Sequence, residues 1–432
     1  MPELRLWPRG GLWRHPDFLK LWSGQTISQF GTQISLLAIP LAAVLVLDAS
    51  AFQVAQLSTV EYLPFLLFTL PAGVWVDRLP RRPILVVADL GRCAALASIP
   101  VSYAFDALTI WQLYAVGFVA GSLTVFFDVA YQSYLPSLVG REHLLQGNSL
   151  LEMSVSVASV SGPGVSGLIV GALTAPVAIL LDAVSFLLSG VAIALIRVRE
   201  QPREPVGKPS VRKELWEGLR YIVRHRYWRP ITLTVGSANF AGTVMFSIFV
   251  VYASRSLDMS PAAIGLVITL GSVGGVVGAA FAGRISRRFG VGPTIVGSAF
   301  LFGPPLLLVP LAPQSAPIPF LVAAFLVGTA GGTVFNITGR SLIQTLTPER
   351  LLGRMTASRR FLVWGTIPLG ALVGGLLASW IGMHATLWVG AIATCFTFLP
   401  VALSPIRRIG EMPTEQEADH TRTVMPAVIV DA

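Results

Sequence analysis

Charged side chains lie inside several long apolar stretches of this sequence. Most of them are acidic and fall in the first half of the chain, namely Glu61, Asp89, Asp128, Glu152 and Asp182. A carboxylate removed from water favours its neutral form, so it can take up and release a proton. We predict proton-coupling roles for Glu61, Asp182 and Glu152, with Glu61 as the first candidate. The alternative is a carboxylate that is hydrogen-bonded to a neighbouring helix.

Other polar residues recur at helical spacing and predict either a substrate cavity or interhelical hydrogen bonds. These cavity candidates are Gln25, Gln29 and Gln33 on one helix, Asn336 and Arg340 on another, and Asn239. Asp89 and Arg92 are three residues apart, so a structural ion pair on one helix face explains them at least as well as a functional role.

The elements that position these groups are membrane-spanning helices. Of 432 residues, 53% are hydrophobic and 12% are charged, whereas soluble domains carry about 25% charged residues. Stretches of roughly 20 apolar residues, enough to cross a bilayer, recur along the chain. The predicted spans are 18–47, 54–76, 84–104, 108–135, 148–172, 177–196, 230–253, 261–283, 291–311, 318–342, 361–380 and 385–405.

The net charge of +9 reflects topology. Lys and Arg concentrate in alternate loops and at both ends of the chain, while Arg255 is nearly alone in the opposite loops. The positive-inside rule therefore places both termini of a multi-pass membrane protein in the cytoplasm. A nucleic-acid partner is not expected, because no soluble domain carries a basic face.

The chain also repeats itself. The sequence around Glu142 and Leu144 returns at Glu349 and Leu351, about 207 residues later, as in transporters built from internal repeats. We predict an all-α integral membrane fold with two six-helix pseudo-repeats around a central cavity. The predicted parts are a cytoplasmic N-terminus (1–17), two bundles (18–196 and 230–405), a linker with a basic amphipathic helix (197–229) and a disordered cytoplasmic tail (406–432).

Catalytic, metal and nucleotide signatures are missing from the sequence. The five histidines are scattered, Cys93 and Cys395 fall inside predicted spans, and no phosphate-binding loop of the GxxxxGK[ST] kind occurs. We therefore expect no enzyme activity, no cofactor and no metal site. The expected partners are a small-molecule substrate, protons and the lipid bilayer.

The loop GVWVDRLPRR at residues 73–82 resembles the loop signature of the major facilitator superfamily. The resemblance implies a cytoplasmic gating charge network of Asp77, Arg78, Arg81 and Asp128. Pro80 replaces the usual glycine of the turn, and Gly283 replaces the acid in the second half. The alternative is an ordinary cytoplasmic loop with arginines that set topology.

The run SGPGVSG at 161–167 resembles the glycine and proline motif of exporters in this superfamily, which implies a helix bend at Gly162, Pro163, Gly164 and Gly167. Two further stretches, FLKLWSGQTISQFG and EGLRYIVRH, are similar to the branch of macrolide efflux proteins and the enterobactin exporter. The resemblance implies a monomeric, proton-coupled secondary transporter of the bacterial inner or plasma membrane. It would export drug, macrolide or siderophore-like molecules by alternating access. An importer, or a non-transporting receptor or scaffold, stays open, and no residue names the substrate.

Overall fold

A computed structural model of the chain describes residues 11–140, 143–198, 211–347 and 349–412. Some side chains inside these ranges are not described: those of Leu70, Val74, Asp77, residues 211–215, 217, 349–354 and 357. The predicted disordered tail beyond residue 412 and most of the non-helical part of the predicted linker, residues 199–210, lie outside the described residues.

Within these ranges the regular secondary structure is helical. The first part of the chain forms α1 (Pro16–Leu45), α2 (Ala51–Arg78), α3 (Arg81–Ala104), α4 (Ile110–Val139), α5 (Leu144–Ala172) and α6 (Ala175–Ala194). It is followed by α7 (Val211–Arg224), α8 (Trp228–Arg255), α9 (Pro261–Phe289), α10 (Val291–Phe300), α11 (Leu308–Leu311) and α12 (Pro317–Leu346). The last helices are α13 (Glu349–Trp364), α14 (Thr366–Ile381), α15 (Met383–Cys395) and α16 (Leu399–Ala402), and short 3-10 turns occupy Gly11–Arg14, Pro304–Leu307 and Pro405–Arg408.

Several helices begin at side chains that satisfy the free N–H groups of a first turn. Ser50 and Gln53 form a reciprocal capping box at α2. Thr109 Oγ1 accepts from the backbone N–H of Gln112 at 3.3 Å, and Thr174 caps α6 in the same way. These caps lie where the sequence passes from loop to apolar stretch, so local chemistry and hydropathy agree on the helix boundaries.

Eleven helical segments within the described residues are long and apolar enough to cross a membrane. Helix α2 is not among these eleven segments, but its 28 residues cover the predicted span 54–76. The predicted all-helical membrane fold is therefore confirmed, and the described helices are consistent with the predicted count of twelve spans.

Contacts divide the chain into two compact units. The first contains residues 1–53, 60–208 and 259–269, and the second contains 54–59, 209–258 and 270–432. In the first unit, α1 packs extensively on α5 and α6, and α3 packs on α4 and α6. In the second unit, α8 packs on α14 and α15, and α10 packs on α12.

A histidine stabilises the start of α8 in the second unit. His225 is 4% exposed, and its Nδ1 accepts from the backbone N–H groups of Tyr227 at 3.2 Å and Trp228 at 3.3 Å. An acceptor nitrogen carries no proton, so this geometry requires the neutral ring with its single proton on Nε2. Burial, and secondarily the charge of Arg226, lowers the pKa of His225 from 6.5 to about 4.

We expect this histidine to make stability pH-dependent. The unfolded chain protonates His225 near pH 6.5 and the folded protein only near pH 4, so stability is full above pH 6.5 and falls as the pH drops toward 4. The loss attributable to this ring is roughly 3 kcal/mol. His225→Asn, whose side-chain oxygen can accept the same bonds, should unfold with a shallower pH dependence than wild type in thermal melts from pH 7.5 to pH 4. Parallel melting profiles of the two proteins would contradict this assignment.

Candidate functional site

Asp182 is the most deeply buried of the three proton-coupling candidates. It lies on α6 with 1% of its surface exposed and accepts a hydrogen bond at 3.0 Å from Ser185 Oγ. Gly31 of α1 faces both side chains, and a Cβ atom at that position would clash with Ser185 Oγ and with Asp182 Oδ1. Helix α1 therefore approaches the Asp182 carboxylate closely because residue 31 has no side chain.

Glu61 of α2 interacts electrostatically with Asp182. Glu61 is half-buried, and Gly121 of α4 has its Cα against the Glu61 carbonyl, where a Cβ would clash. The structure thus brings two of the predicted carboxylates, Glu61 and Asp182, into one region of the first unit. The third, Glu152 on α5, is exposed, so the argument from burial does not apply to it.

Asp89 and Arg92 form the ion pair that their spacing predicts. Asp89 is fully buried, Arg92 is nearly so, and the guanidinium Nη2 donates to Asp89 Oδ1. The Arg92 guanidinium also lies over the rings of Phe127, at 4.5 Å, and Phe186, at 4.1 Å. The structural interpretation of this pair is therefore the one that the contacts support.

The ion pair belongs to a polar network that joins four helices. Arg92 Nη1 donates to Thr124 Oγ1 of α4 at 3.4 Å, and Ser189 of α6 bonds to the Asp89 carboxylate. Gln25 Nε2 of α1 donates to Ser189 Oγ at 3.2 Å. The network therefore links α1, α3, α4 and α6 inside the first unit.

The three glutamines of α1 have different surroundings. Gln25 is 5% exposed and makes the interhelical bond to Ser189, which is the alternative that the sequence left open. Gln33 packs on α5, because the Cβ of Gln33 lies against the Cα of Gly162. Gln29 is half-buried. The cavity role of the three glutamines stays a prediction.

The second unit contains a cavity of about 260 Å³. Asn239 of α8 and Asn336 of α12 both line it. The other lining residues are mostly apolar or aromatic: Val235, Ala238, Gly242, Phe246, Phe302, Leu306, Phe325, Gly328, Thr329, Gly332, Phe335 and Thr394. Asn239 Nδ2 donates to the Val363 carbonyl of α13 at 3.2 Å, whereas Asn336 Nδ2 donates to Gly332 of its own helix at 3.0 Å. Two of the predicted substrate residues thus meet in one aromatic pocket.

The loop of the predicted gating network is a tight turn between α2 and α3. Leu79 is extended and Pro80 precedes the first turn of α3. Arg78 is exposed, Arg81 is buried and Asp128 is half-buried. The side chain of Asp77 lies outside the described residues, so the network as a whole stays a prediction.

Two basic residues that sequence reasoning did not single out bind the carbonyl groups at the C-terminal end of α6. Arg82 Nε donates to the Ile193 carbonyl at 3.3 Å, and its Nη2 donates to that of Ala194. Lys20 Nζ donates to the Leu195 carbonyl at 2.8 Å. Cations at a helix C-terminus satisfy free carbonyls and complement the helix dipole. The two adjacent arginines of the loop are visible in the sequence, but the sequence does not show that Arg82 binds to α6.

The glycine and proline motif of α5 contacts helices on two sides. Gly162 faces α1, and the Gly164 backbone N–H donates to Thr269 Oγ1 of α9 at 2.8 Å. Gly167 lies against the start of α9, where a Cβ would clash with the Pro261 carbonyl and come within 3.0 Å of Gly265 Cα. The motif therefore provides close helix packing within the first unit, as small residues do in membranes. The predicted bend at Pro163 stays a prediction.

We expect Gly167→Val to weaken this packing. Overpacking a close contact costs about 1–3 kcal/mol. Gly171→Val is the matched control one turn along α5, because a Cβ there meets only Ala262, at 3.9 Å or more. Thermal unfolding of the two purified variants should show a lower midpoint for Gly167→Val and a near-wild-type midpoint for Gly171→Val. Equal midpoints would contradict the close contact.

Groups of three or more metal-binding side chains are not found among the described His, Cys, Asp and Glu residues. The described chemistry consists of membrane-embedded carboxylates and a polar network in the first unit, and of an aromatic cavity with two asparagines in the second. Such groups can bind an amphipathic molecule or a proton.

A family model and curated relatives each match most of this chain. A family model described as "Transmembrane secretion effector" matches residues 12–431. "Multidrug efflux pump Tap" of Mycolicibacterium fortuitum is 28% identical over 388 residues, which cover 86% of this chain and 91% of the relative. "Macrolide efflux protein A" of Streptococcus pyogenes is 22% identical over 394 residues, which cover 91% of this chain and 97% of the relative.

Solved structures share the fold. A bacterial homologue of the iron transporter ferroportin, in its inward-facing state, superposes with a TM-score of 0.74 at 18% identity and covers 91% of this chain and 99% of its own. The nucleoside transporter NupG superposes with a TM-score of 0.69 at 10% identity, covering 90% and 98%. At these identities the likeness concerns the fold alone.

Proposed function

We propose an export function from one premise: the chain belongs to the transmembrane secretion effector family of the major facilitator superfamily. Membership makes it a multi-pass membrane transporter of small molecules and confirms the resemblance of its loop and helix motifs to that superfamily. We assign it the export of amphipathic drugs, macrolides among them, from the bacterial cytoplasm across the plasma membrane, with both termini cytoplasmic.

The observation that carries the proposal is the aromatic cavity of the second unit. Two ring pairs line it, Phe246 with Phe325 at 5.3 Å and Phe302 with Phe335 at 5.2 Å between centroids. Aromatic walls with a few polar groups are typical of small-molecule sites. Asn239 and Asn336 supply hydrogen-bonding groups without a fixed charge, which suits a range of amphipathic molecules rather than a single ligand.

Alternating access and proton coupling complete the proposed mechanism. Glu61 and Asp182 are two carboxylates whose charges repel each other in an apolar unit, so the loss of one proton disfavours loss of the second. Such a pair can exchange one proton per cycle for substrate. The gating network of Asp77, Arg78, Arg81 and Asp128 is the proposed cytoplasmic lock of the outward-open state.

An accumulation assay tests export. Bacterial cells deficient in drug efflux, with and without the protein, are loaded with ethidium or radiolabelled erythromycin, and the retained amount is measured before and after a proton uncoupler. We expect lower retention in cells with the protein, and loss of that difference with uncoupler. Higher retention would indicate an importer, and unchanged retention of every solute in a broad panel would favour a receptor or scaffold.

A cavity-blocking variant with a matched control makes the assay specific. A Cβ at Gly242 meets nothing within 4 Å although the residue lines the cavity, so Gly242→Leu fills space without a clash at the backbone. Gly297 of α10 is equally open but does not line the cavity. We expect Gly242→Leu to abolish export and Gly297→Leu to retain it; export by both variants would remove the cavity from the mechanism.

A further inference from the structure

The membrane-spanning helices of the second half carry cationic side chains but no acidic ones. Helices α8, α9, α10, α12, α14 and α15 contain no Asp or Glu. By contrast, α2 to α6 hold Glu61, Asp89, Asp128, Glu152 and Asp182. An arginine inside an apolar span is costly unless a group of opposite charge or a polar cavity compensates it. Arg340 of α12 therefore requires a compensating negative charge from outside these helices.

Arg340 does not stand alone. Its positive charge acts on that of Arg359 in α13, so the two guanidinium groups repel each other. Arg359 is half-buried, and its Nε atom is buried without a hydrogen-bond partner among the described residues. Neither arginine forms an ion pair within the described part of the chain. Two guanidinium groups that act on each other, with one unused donor, can bind an anion.

Arg340 lies one helical turn from a residue of the aromatic cavity, and Arg359 lies one turn from a residue that bonds to a cavity side chain. Arg340 follows the cavity residue Asn336 by four positions on α12, which places the two on one face with Cβ atoms about 5–6 Å apart. Arg359 precedes Val363 by four positions on α13, and the Val363 carbonyl accepts from the cavity residue Asn239. A ligand with an aromatic body in the cavity can therefore reach the arginines with a short acidic group.

We propose that Arg340 and Arg359 form an anion-binding site of the second unit, which receives the carboxylate of an aromatic, amphipathic substrate whose ring occupies the adjacent cavity. The inference rests on the proposed transport function and adds acidic aromatic molecules to the amphipathic drugs assigned above. Arg340, exposed, makes the first contact, and Arg359, with its buried unpaired Nε, supplies the second donor. The bound carboxylate also removes the repulsion between the two guanidinium groups.

A charge series of isosteric ligands tests the site directly. Tritiated 2-naphthoate and tritiated 2-naphthamide, which share one ring system and differ in charge, are titrated onto the full-length protein in lipid nanodiscs. We expect the acid to bind at least about tenfold more tightly than the amide, because hydrogen bonds between charged groups are stronger than those to a neutral amide. Arg340→Gln and Arg359→Gln should each remove this preference, because acid binding weakens far more than amide binding. Arg340→Lys should retain part of it.

Amide binding that persists in a variant shows that the variant is folded, so a larger loss of acid binding is specific to the anion site. Gly328→Leu, which fills the cavity where a Cβ meets nothing within 4 Å, should weaken both ligands, and Gly297→Leu should weaken neither. Equal binding of acid and amide to wild type would overturn the inference. So would an intact acid preference in both glutamine variants, or no naphthoate binding at millimolar concentration.

The drug accumulation assay distinguishes this inference from the proposed function. Cells that expel ethidium and erythromycin while the purified protein fails to prefer naphthoate retain the export function and lose the anion site. Cells that expel nothing while the naphthoate preference disappears in the arginine variants retain the site and lose the export function. The two proposals therefore fail on different measurements.

Discussion

Replacing Arg92 by methionine is expected to lower the free energy of unfolding by about 3–5 kcal/mol. The substitution leaves the Asp89 carboxylate fully buried without its cation. Removing one partner of a buried pair is costly because the remaining charge keeps its desolvation penalty. Methionine occupies a similar apolar volume between Phe127 and Phe186, so lost packing contributes little to the loss.

A double substitution separates the charge effect from packing. Asp89→Asn with Arg92→Met removes both charges, and the asparagine can still bond to Ser189. We expect the double variant to recover most of the stability that Arg92→Met loses, since replacing a buried pair by neutral groups is often close to neutral. Unfolding midpoints of the purified proteins in detergent measure the difference. A double variant as unstable as Arg92→Met would show that shape, and not charge, explains the loss.

The same network shows how far the sequence predicts the fold and where prediction stops. The spacing of Asp89 and Arg92 on α3 predicts their pairing, because residues three apart share a helix face. Spacing along one helix does not name residues on other helices. Thr124 on α4, Ser189 on α6 and Gln25 on α1 join the pair through packing alone.

The fold itself is largely predictable because hydropathy determines which stretches span a membrane and local caps determine where helices begin. The candidate sites are less so. Gln25, Gln29 and Gln33 look equivalent in sequence, yet Gln25 bonds to α6 and Gln33 packs on α5. A helix in a bundle contacts different neighbours at successive turns, so one polar stripe can face several helices. Likewise, the sequence does not show that Gly31 packs against the Asp182 carboxylate.

The ranking of the acidic candidates also depends on tertiary structure. Sequence reasoning puts Glu61 first, from its depth along one helix. In the structure Asp182 is more deeply buried and has α1 packed directly against its carboxylate at Gly31. Movement of α1 relative to α6 would therefore change the surroundings of Asp182 more directly than those of Glu61. This makes Asp182 the carboxylate best placed to link a change of helix packing to a change of protonation.

Asp182→Asn is accordingly expected to reduce proton-driven export to the level of uncoupler-treated wild type. Asparagine has nearly the same shape, fits beside Gly31 and can accept the hydrogen bond from Ser185, but it cannot exchange a proton. The measurement is ethidium or erythromycin transport into inverted membrane vesicles under an imposed proton gradient. Substrate exchange without a gradient should persist, because it requires binding and helix movement but no net proton transfer.

Two further substitutions sharpen the result. Glu61→Gln removes the like charge next to Asp182, so it should slow gradient-driven export and shift the pH at which export is fastest. Glu152→Gln, at an exposed position, is the matched control and should leave the gradient dependence as in wild type. Full gradient-driven export by Asp182→Asn would exclude that carboxylate as the proton carrier. Loss of both exchange and gradient-driven transport would instead assign Asp182 to helix packing, since a coupling residue is dispensable for exchange and a packing residue is not.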